Sequence, residues 1–292
     1  MNDNDRRLWE DRWQEALAAS PMRRRRSGDP MKRWNNMAGD FAERTGEKDN
    51  NDKRLEVIAW LRERGALFPG VRVIDIGAGP GNWAIPLAEA GAEVLALEPA
   101  EGMLRILRSR IDPARLRVAL HQATWQEVDL DALGWRGSFD LVFASMTPGV
   151  DGPEMLEKML QAAREDGAFC YLSAFAGRAW QEWYGELWRT LFDEELGGHV
   201  NDIIHPFNLL YALGYRPELR FEEWERRISW PRQRAIDDFC NHLEGFTELT
   251  DEVRATIADH VDSRLVEGRF EESRRGCRGM MLWDTRLRIA GR

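Results

Sequence analysis

A glycine-rich segment directly after an apolar run holds residues suited to binding a cofactor. It reads Asp75-Ile-Gly-Ala-Gly-Pro-Gly81, follows the β-branched residues 71–76 and opens a helical pattern. Glycine lets a ligand come close to the backbone amides at a helix N-terminus. Glu98 lies 21 residues beyond Gly77, at the end of the next predicted strand, where an acid accepts hydrogen bonds from ribose hydroxyls. The spacing therefore predicts a site for a cofactor that carries a ribose.

Two classes of cofactor use a glycine loop of this kind, and the charge beside the loop distinguishes them. A dinucleotide site prefers Gly-x-Gly-x-x-Gly, whereas here Gly81 comes one residue early and is followed by Asn82. Asp75 lies two residues before the first glycine, where a carboxylate would repel a pyrophosphate. The same carboxylate suits the cationic amino group of S-adenosylmethionine (SAM). These features favour SAM and disfavour a NAD-dependent oxidoreductase.

The elements that must position this loop alternate between strands and helices. Apolar, β-branched runs predict five strands, at residues 71–76, 94–97, 116–121, 139–144 and 168–172. Helical stripes between them are predicted at residues 85–91, 103–111 and 153–164. Such alternation indicates parallel βαβ units, whose ligands bind at the carboxyl ends of the strands.

Helices are also predicted on both sides of this alternating region. Those that precede it cover residues 6–17, 34–41 and 55–65, with a polar linker at residues 45–53. Beyond residue 173, apolar side chains at helical spacing predict a helix over residues 180–191. Two last strands, at residues 221–230 and 279–284, enclose a helical insert that we place at residues 231–268.

Composition and charge exclude several classes of protein. The chain has 292 residues, 43% of them hydrophobic, so it can bury a sizeable core in one or two globular domains. Its net charge of -9 opposes a dominant role in binding nucleic acid, which relies on Lys and Arg. The local exception is residues 23–26, four consecutive arginines that form either a solvated run or a contact with an anion or RNA.

Cysteine spacing and hydropathy limit the metals and the compartment. Cys170, Cys240 and Cys277 are far apart and have no histidines at ligand spacing, so we expect neither a metal site nor a disulfide framework. The charged N-terminus does not resemble a signal peptide, and no run of about 18 apolar residues occurs. A cytoplasmic protein without a membrane span is therefore expected.

The segment VIDIGAGPGNWAIPLAEAGAEVLALEPAEGMLRILRSRI resembles the cofactor-binding half of class I SAM-dependent methyltransferases. The resemblance implies an α/β fold with a Rossmann-like, seven-stranded, mostly parallel sheet flanked by helices. It implies the strand order 3-2-1-4-5-7-6, with the last strand antiparallel. We expect an N-terminal helical cap at residues 1–65, a SAM-binding core at 66–175, and substrate-side helices, the insert and the final strands of the same sheet at 176–292.

The resemblance also implies roles for individual residues. In the family, the loop surrounds the methionine moiety, the acid matching Asp75 supports it, the acid matching Glu98 binds the ribose, and Met103 matches a position that flanks the adenine. The Asp that often follows the third strand is missing, and Thr124, Gln126 or Trp125 stands in its place. The predicted cofactor site comprises Asp75, Gly77, Ala78, Gly79, Gly81, Glu98, Pro99, Met103, Thr124, Trp125 and Ser145.

Aromatic and basic residues outside the loop are candidates for the remaining tasks. Trp34 and Phe41 are predicted to form a lid over SAM or, alternatively, to pack on the sheet edge. The candidates for a substrate wall are Trp180, Trp183 and Tyr184, with burial in the core as the alternative. The candidate general bases are His199, His205, Asn208 and Tyr211, and a lone histidine is otherwise structural. Of the 13 tryptophans, Trp60, Trp135 and Trp283 are expected to pack the sheet, whereas Trp34, Trp125, Trp180, Trp183 and Trp188 are expected near the cofactor and acceptor.

The function implied by the resemblance is methyl transfer from SAM to a small, partly apolar or aromatic metabolite, mainly by positioning and desolvation. Residues 144–148 lack the Asn/Asp-Pro-Pro-Tyr/Phe motif of the family's amino-group methyltransferases, which argues against adenine or glutamine as the acceptor. The alternatives are an RNA or protein methyltransferase guided by residues 23–26, and a non-catalytic SAM-binding protein. The methylated atom and the oligomeric state are left open.

Overall fold

The N-terminal region is entirely helical in the computed structural model, which describes residues 3–46, 48–177, 179–197 and 202–289. The helices are listed here in chain order: α1 (Asp3–Ala19), α2 (Pro21–Arg25), α3 (Pro30–Thr45) and α4 (Lys48–Glu63). Ser20 and Asp29 cap α2 and α3 by accepting a hydrogen bond from a backbone N–H of the first turn. Residues 48–53, predicted as part of a linker at residues 45–53, belong instead to α4, and Arg54 on this helix donates to the carbonyl of Thr45 on α3.

Strands and helices alternate through the middle of the chain. The elements are β1 (Arg72–Ile76), α5 (Ala84–Glu89), β2 (Glu93–Leu97), α6 (Glu101–Arg110), β3 (Val118–His121), β4 (Leu141–Ser145), α7 (Pro153–Ala162) and β5 (Phe169–Phe175). All five strands run parallel. β1 lies between β2 and β4, so Asp75 is paired with Ala96 on one side and Phe143 on the other.

The C-terminal part completes the same sheet. Its elements are α8 (Ala179–Phe192), α9 (Ile204–Ala212), β6 (Glu218–Pro231), α10 (Arg232–Leu243), α11 (Asp251–Asp262), β7 (Leu265–Val266) and β8 (Arg269–Asp284). The strand order is β3-β2-β1-β4-β5-β8-β6, and β8 is antiparallel to β5. The predicted fold class is confirmed, with β7 as an additional two-residue strand that pairs only with β8 through the turn at Glu267 and Gly268.

The last hairpin is much longer than the sequence predicts. β8 starts at Arg269 rather than at residue 279, and Phe175, the last residue of β5, pairs with Arg278. Residues 223–231 and 269–277, named here the arm, therefore extend past the carboxyl end of β5. Residues 271–278 contain mostly charged and small side chains, so hydrophobic alternation does not reveal this strand. Pairing with β6 forms it.

Three hydrophobic clusters hold these layers together. α1, α7 and α9 cover one face of the sheet, where Trp13 and Trp283 are buried. α4 and α5 cover the other face with Trp60 and Trp83. α8, α10 and α11 form a separate core on the arm that contains Trp188. Trp188 therefore packs this core and does not lie beside the cofactor loop. None of the described helices is long and apolar enough to span a membrane.

Candidate cofactor and acceptor site

The glycine loop between β1 and α5 is held in a conformation that needs glycine. Gly77, Gly79 and Gly81 all have positive φ angles. A Cβ atom on Gly77 would lie 2.1 Å from Oγ1 of Thr147, and one on Gly81 would lie 2.4 Å from Cδ1 of Leu107. For a Cβ atom added to Gly79, the nearest atom would be Cε1 of Phe41, at 3.9 Å. Protein therefore packs closely on the loop at Gly77 and Gly81 and leaves space above Gly79.

The amides of this loop are engaged within the protein. Gly77 and Ala78 donate to the carbonyl of Leu97, at 2.8 and 3.0 Å, and Gly81 donates to Ala78 at 3.0 Å. Gly79 donates to Oε2 of Glu98 at 2.9 Å. A pyrophosphate is bound by backbone N–H groups that point at the ligand. Because these four amides already have acceptors within the protein, they are not available to a pyrophosphate, which disfavours a dinucleotide.

Asp75 places an unpaired carboxylate oxygen at the start of the loop. Its side chain is buried, and no described group donates a hydrogen bond to Oδ2. Burial, together with the charge of Glu98, raises the pKa of Asp75 to about 7, and the N–H of Ala84 opposes the shift. A buried carboxylate with an unpaired oxygen is stabilised by a cation. Asp75 therefore fits the amino group of SAM.

Glu98 connects the loop to the first turn of α6. Oε1 accepts from the N–H of Ala100 at 2.8 Å, while Oε2 accepts from Gly79. Burial raises the pKa of Glu98, and these two hydrogen bonds oppose that shift. Each carboxylate oxygen has a second lone pair, so Glu98 can still accept hydrogen bonds from ribose hydroxyls. The sequence suggested the ribose role but not that Glu98 also holds the glycine loop.

α3 covers this part of the site. Oδ1 of Asn35 accepts from the N–H of Gly102 at 2.7 Å. Trp34 and Phe41 pack edge to face, with ring centroids 5.8 Å apart, and both contact the cluster that contains buried Met103. Phe41 is also the residue nearest to the open space above Gly79. The structure therefore brings Trp34, Phe41 and Met103 together beside the loop, and the lid and adenine roles stay predictions.

The residues after β3 make their main contacts elsewhere. Thr124 donates through its N–H and Oγ1 to Glu127. The indole of Trp125 is buried and donates to the carbonyl of Met155 at 3.1 Å. The side chain of Gln122, which the sequence reasoning overlooked, donates to the carbonyl of Pro99 at 3.2 Å. Contacts of Thr124 and Trp125 with adenine stay predictions.

The loop after β4 lies directly over Gly77. Ser145, the last residue of β4, and Ser173, its partner on β5, have hydroxyl oxygens 2.8 Å apart. Met146 adopts a φ of 51°, unusual for a residue other than glycine, and Thr147 follows it. The sequence reasoning proposed Ser145 but missed Thr147, although its place after a strand of a parallel sheet was a usable signal.

The candidate general bases do not gather at the loop. His199 and the side chain of Trp180 lie outside the described residues. His205 stacks on Trp13 of α1 at 6.1 Å, and burial lowers its pKa. Tyr211 is 54% exposed and packs under Arg216. α9 begins near Phe175 at the carboxyl end of β5, and the residues after it pair with the segment beside Ala168 at the amino end, so Tyr211 lies toward the opposite edge of the sheet.

The consecutive arginines make ion pairs within the chain. Arg24 and Arg25 pair with Glu194, and Arg23 lies 3.7 Å from Asp151. The guanidinium of Arg25 also packs on the ring of Phe192, 4.3 Å from its centroid. These contacts tie α2 to other elements, so much of the run's positive charge is compensated.

Aromatic side chains of α8 and the arm pack against one another beyond the carboxyl end of β5. The rings of Trp183 and Trp224 lie 5.2 Å apart, with Trp224 over the backbone of Gly276. Tyr184 stacks on His242 at 4.0 Å, and burial raises the pKa of Tyr184 to about 12. The arm thus provides an aromatic surface next to the predicted substrate wall.

The chain is similar to several known proteins. The family model described as "Methyltransferase domain" matches residues 73–167. A ubiquinone biosynthesis O-methyltransferase of Azorhizobium caulinodans is 41% identical over 26% of this chain and 28% of that protein. A protein-L-isoaspartate O-methyltransferase of Methylorubrum populi is 33% identical over 36% of this chain and 47% of that protein. These matches span less than half of the two relatives.

Solved structures extend the similarity of fold to most of the chain. The YcgJ protein of Bacillus subtilis superposes with a TM-score of 0.52 over 79% of this chain and 97% of that protein, at 14% identity. The matched residues 73–167 contain the loop, Asp75 and Glu98, whose geometry fits SAM. Residues 73–167 therefore form a methyltransferase domain, and the geometry of their glycine loop fits SAM.

Proposed function

We propose that this protein transfers the methyl group of SAM to a small, partly apolar or aromatic metabolite. The observation that carries the proposal is the open space above Gly79, whose N–H donates to Glu98 and whose nearest further neighbour is Phe41, with buried Asp75 at the start of the same loop. Polar anchors for both ends of the cofactor and an apolar cover suit a methyl donor that must be shielded from water.

SAM supplies an electrophilic methyl group whose leaving group is a neutral thioether. Asp75 binds the cationic amino group, and Glu98 accepts hydrogen bonds from the ribose. α3 excludes water through Trp34 and Phe41. Because the displacement proceeds in line, the rate depends largely on alignment of the acceptor, which we assign to the aromatic residues of α8 and the arm.

Several observations support a small acceptor over RNA. α3 covers the site on one side, and Arg33 of α3 lies against Gly245, just after α10. Three of the four consecutive arginines are ion-paired within the chain, so they offer little uncompensated charge to a phosphate backbone. The similar protein of Azorhizobium caulinodans is named for ubiquinone biosynthesis, which agrees with a small acceptor.

Transfer of label from methyl-labelled SAM tests the proposal. The protein is incubated with a cell extract, which is then separated into small molecules, RNA and protein. We expect label in an organic-extractable small molecule, at least tenfold less of it with Glu98→Gln, and no change with Glu89→Gln, an exposed control at the end of α5. Label in RNA or protein would refute the small-molecule acceptor. Tight SAM binding without any turnover would indicate a non-catalytic SAM-binding protein.

A further inference from the structure

Arg274 lies on the arm, beyond the edge of the sheet where the cofactor loop is found. Arg274 is four residues before Arg278, and Arg278 pairs with the last residue of β5. At roughly 3.3 Å per residue, Arg274 is about 13 Å past the carboxyl end of β5. The glycine loop follows β1 at this same edge. Arg274 is therefore on the side of the sheet from which an acceptor would approach the cofactor.

Aromatic rings surround the Arg274 guanidinium. Its central carbon lies 5.3 to 5.9 Å from the ring centroids of Trp183, Tyr184, Trp230 and Phe239. The residue is 8% exposed. Such rings stabilise a cation and also offer flat apolar surfaces to a planar ligand.

The hydrogen-bonding capacity of this cluster is incompletely used. Nε of Arg274 donates to Oε2 of Glu272 at 2.5 Å. Nη1 lies 3.7 Å from Oδ2 of Asp238, too far for a hydrogen bond. Among the described residues, neither Nη2 of Arg274 nor Oδ2 of Asp238 has a hydrogen-bond partner, and both atoms are buried. One donor and one acceptor are thus left unsatisfied on neighbouring side chains, which is costly without a ligand.

α3 connects this cluster to the cofactor site. Burial raises the pKa of Asp238, and the charges of Arg274 and Arg44 oppose that shift, so Arg44 on α3 lies near Asp238. The guanidinium of Arg44 is 5.8 Å from the ring centroid of Phe41. Phe41 in turn lies next to the open space above Gly79. The cluster and the glycine loop therefore face the same region.

We propose that Arg274 and Asp238 together bind a neutral hydroxyl group on an aromatic methyl acceptor. The hydroxyl oxygen accepts from Nη2 of Arg274, and its hydrogen is donated to Oδ2 of Asp238. A carboxylate in this place would face the Asp238 oxygen, and an ammonium would face the guanidinium. Either arrangement buries like charges together. The inference rests on the proposed function, since it specifies the acceptor of that same site.

Three probes that share one ring system and differ in charge test this preference. 2-Naphthol, 2-naphthoate and 2-(aminomethyl)naphthalene are titrated by calorimetry into the full-length protein saturated with S-adenosylhomocysteine. We expect 2-naphthol to bind at least about tenfold more tightly than either charged probe. A charged probe that binds as tightly as 2-naphthol, or no saturable binding by any of the three, would overturn the proposal.

Asp238→Asn links the preference to the proposed pair. We expect it to reduce the preference for 2-naphthol over 2-naphthoate by about tenfold, because the charge that repels the carboxylate is removed. Asp237→Asn changes an exposed neighbour that pairs with Gln233 and should leave the preference unchanged. If Asp238→Asn shifts the melting temperature without changing the order of the probes, the pair is structural and the proposal is wrong.

Titration of SAM into the ligand-free protein and its variants distinguishes failure of the proposed function from failure of the hydroxyl-binding role of Arg274 and Asp238. Absence of SAM binding by the unsubstituted protein would refute the proposed function. Normal SAM binding without a hydroxyl preference would refute only the role of Arg274 and Asp238.

Discussion

SAM affinity should depend on pH through Asp75. The carboxyl group is buried, its pKa is raised to about 7, and Oδ2 has no hydrogen-bond partner among the described residues. Only the ionised form can pair with the amino cation of SAM. We therefore expect SAM affinity to fall as the pH is lowered through 7. The substitution Asp75→Asn should remove this pH dependence.

The size of the effect follows from the fraction of Asp75 that is ionised. With a pKa of about 7, this fraction is about one half at pH 7, about one tenth at pH 6 and about one hundredth at pH 5. SAM affinity should therefore weaken by about fivefold between pH 7 and 6, and by about fiftyfold between pH 7 and 5. Asp75→Asn should bind at least tenfold more weakly at pH 7 and show a flat profile, since it loses a charge-assisted hydrogen bond.

The same residue should lower the stability of the ligand-free protein. In the unfolded chain the pKa of Asp75 is near its ordinary value of 3.8, whereas in the folded protein its pKa is about 7. The unfolded state binds fewer protons between these values, so this contribution to stability falls as the pH rises. At pH 7 the unfavourable contribution is on the order of 4 kcal/mol, and at pH 5 about 2 kcal/mol. Asp75→Asn should raise the free energy of unfolding accordingly.

Calorimetric titration with SAM from pH 5 to 7 and urea unfolding at both ends of that range provide the two measurements. Asp140→Asn, on the opposite edge of the sheet at the amino end of β4, is the control for binding and should keep the pH dependence. A flat profile for the unsubstituted protein would show that Asp75 does not ionise on binding. A lower free energy of unfolding for Asp75→Asn would contradict the prediction that burial of the Asp75 carboxylate destabilises the ligand-free protein.

Two further substitutions test the loop and its cover. Gly77→Ala should lower the melting temperature and SAM affinity, because its Cβ would overlap Thr147. Gly28→Ala is the control, since Gly28 also has a positive φ but no atom within 4 Å of the added Cβ; it should lower the free energy of unfolding by only about 1 to 2 kcal/mol. Equal losses of stability in the two variants would show that the overlap with Thr147 is not the cause. Phe41→Ala should weaken SAM binding about tenfold while exposed Phe68→Ala does not, and unchanged affinity would refute the lid. Point variants are preferable to truncation, since removing residues 1–42 also removes buried Trp13.

Local sequence was most informative where a single segment contains the whole signal. The run from Arg72 to Gly81 holds a buried strand, a turn that needs glycine and the start of a helix, so strand β1 and the loop were both predicted. The positions of the later parallel strands followed from the same alternation, and the sheet order implied by the family resemblance is confirmed.

Signals that depend on distant partners could not be found in this way. Residues 271–278 form a strand only because β6 supplies its hydrogen bonds. Asn35 and Thr147 reach the site because α3 packs on α6 and because the loop after β4 lies over Gly77. The tryptophans have similar local surroundings in the sequence, yet Trp125 and Trp188 enter different cores.

The sequence by itself predicted the fold of the cofactor half of the molecule, since the pattern of Asp75, the glycines and Glu98 lies in spacing that is local to two βα units. Only the tertiary structure decided what surrounds the acceptor. Arg274 and Asp238 are 36 positions apart and become neighbours when α10 folds back on the arm. Nη2 of Arg274 and Oδ2 of Asp238 are left unsatisfied because packing of the chain buries both atoms, and burial is a property of the packed chain.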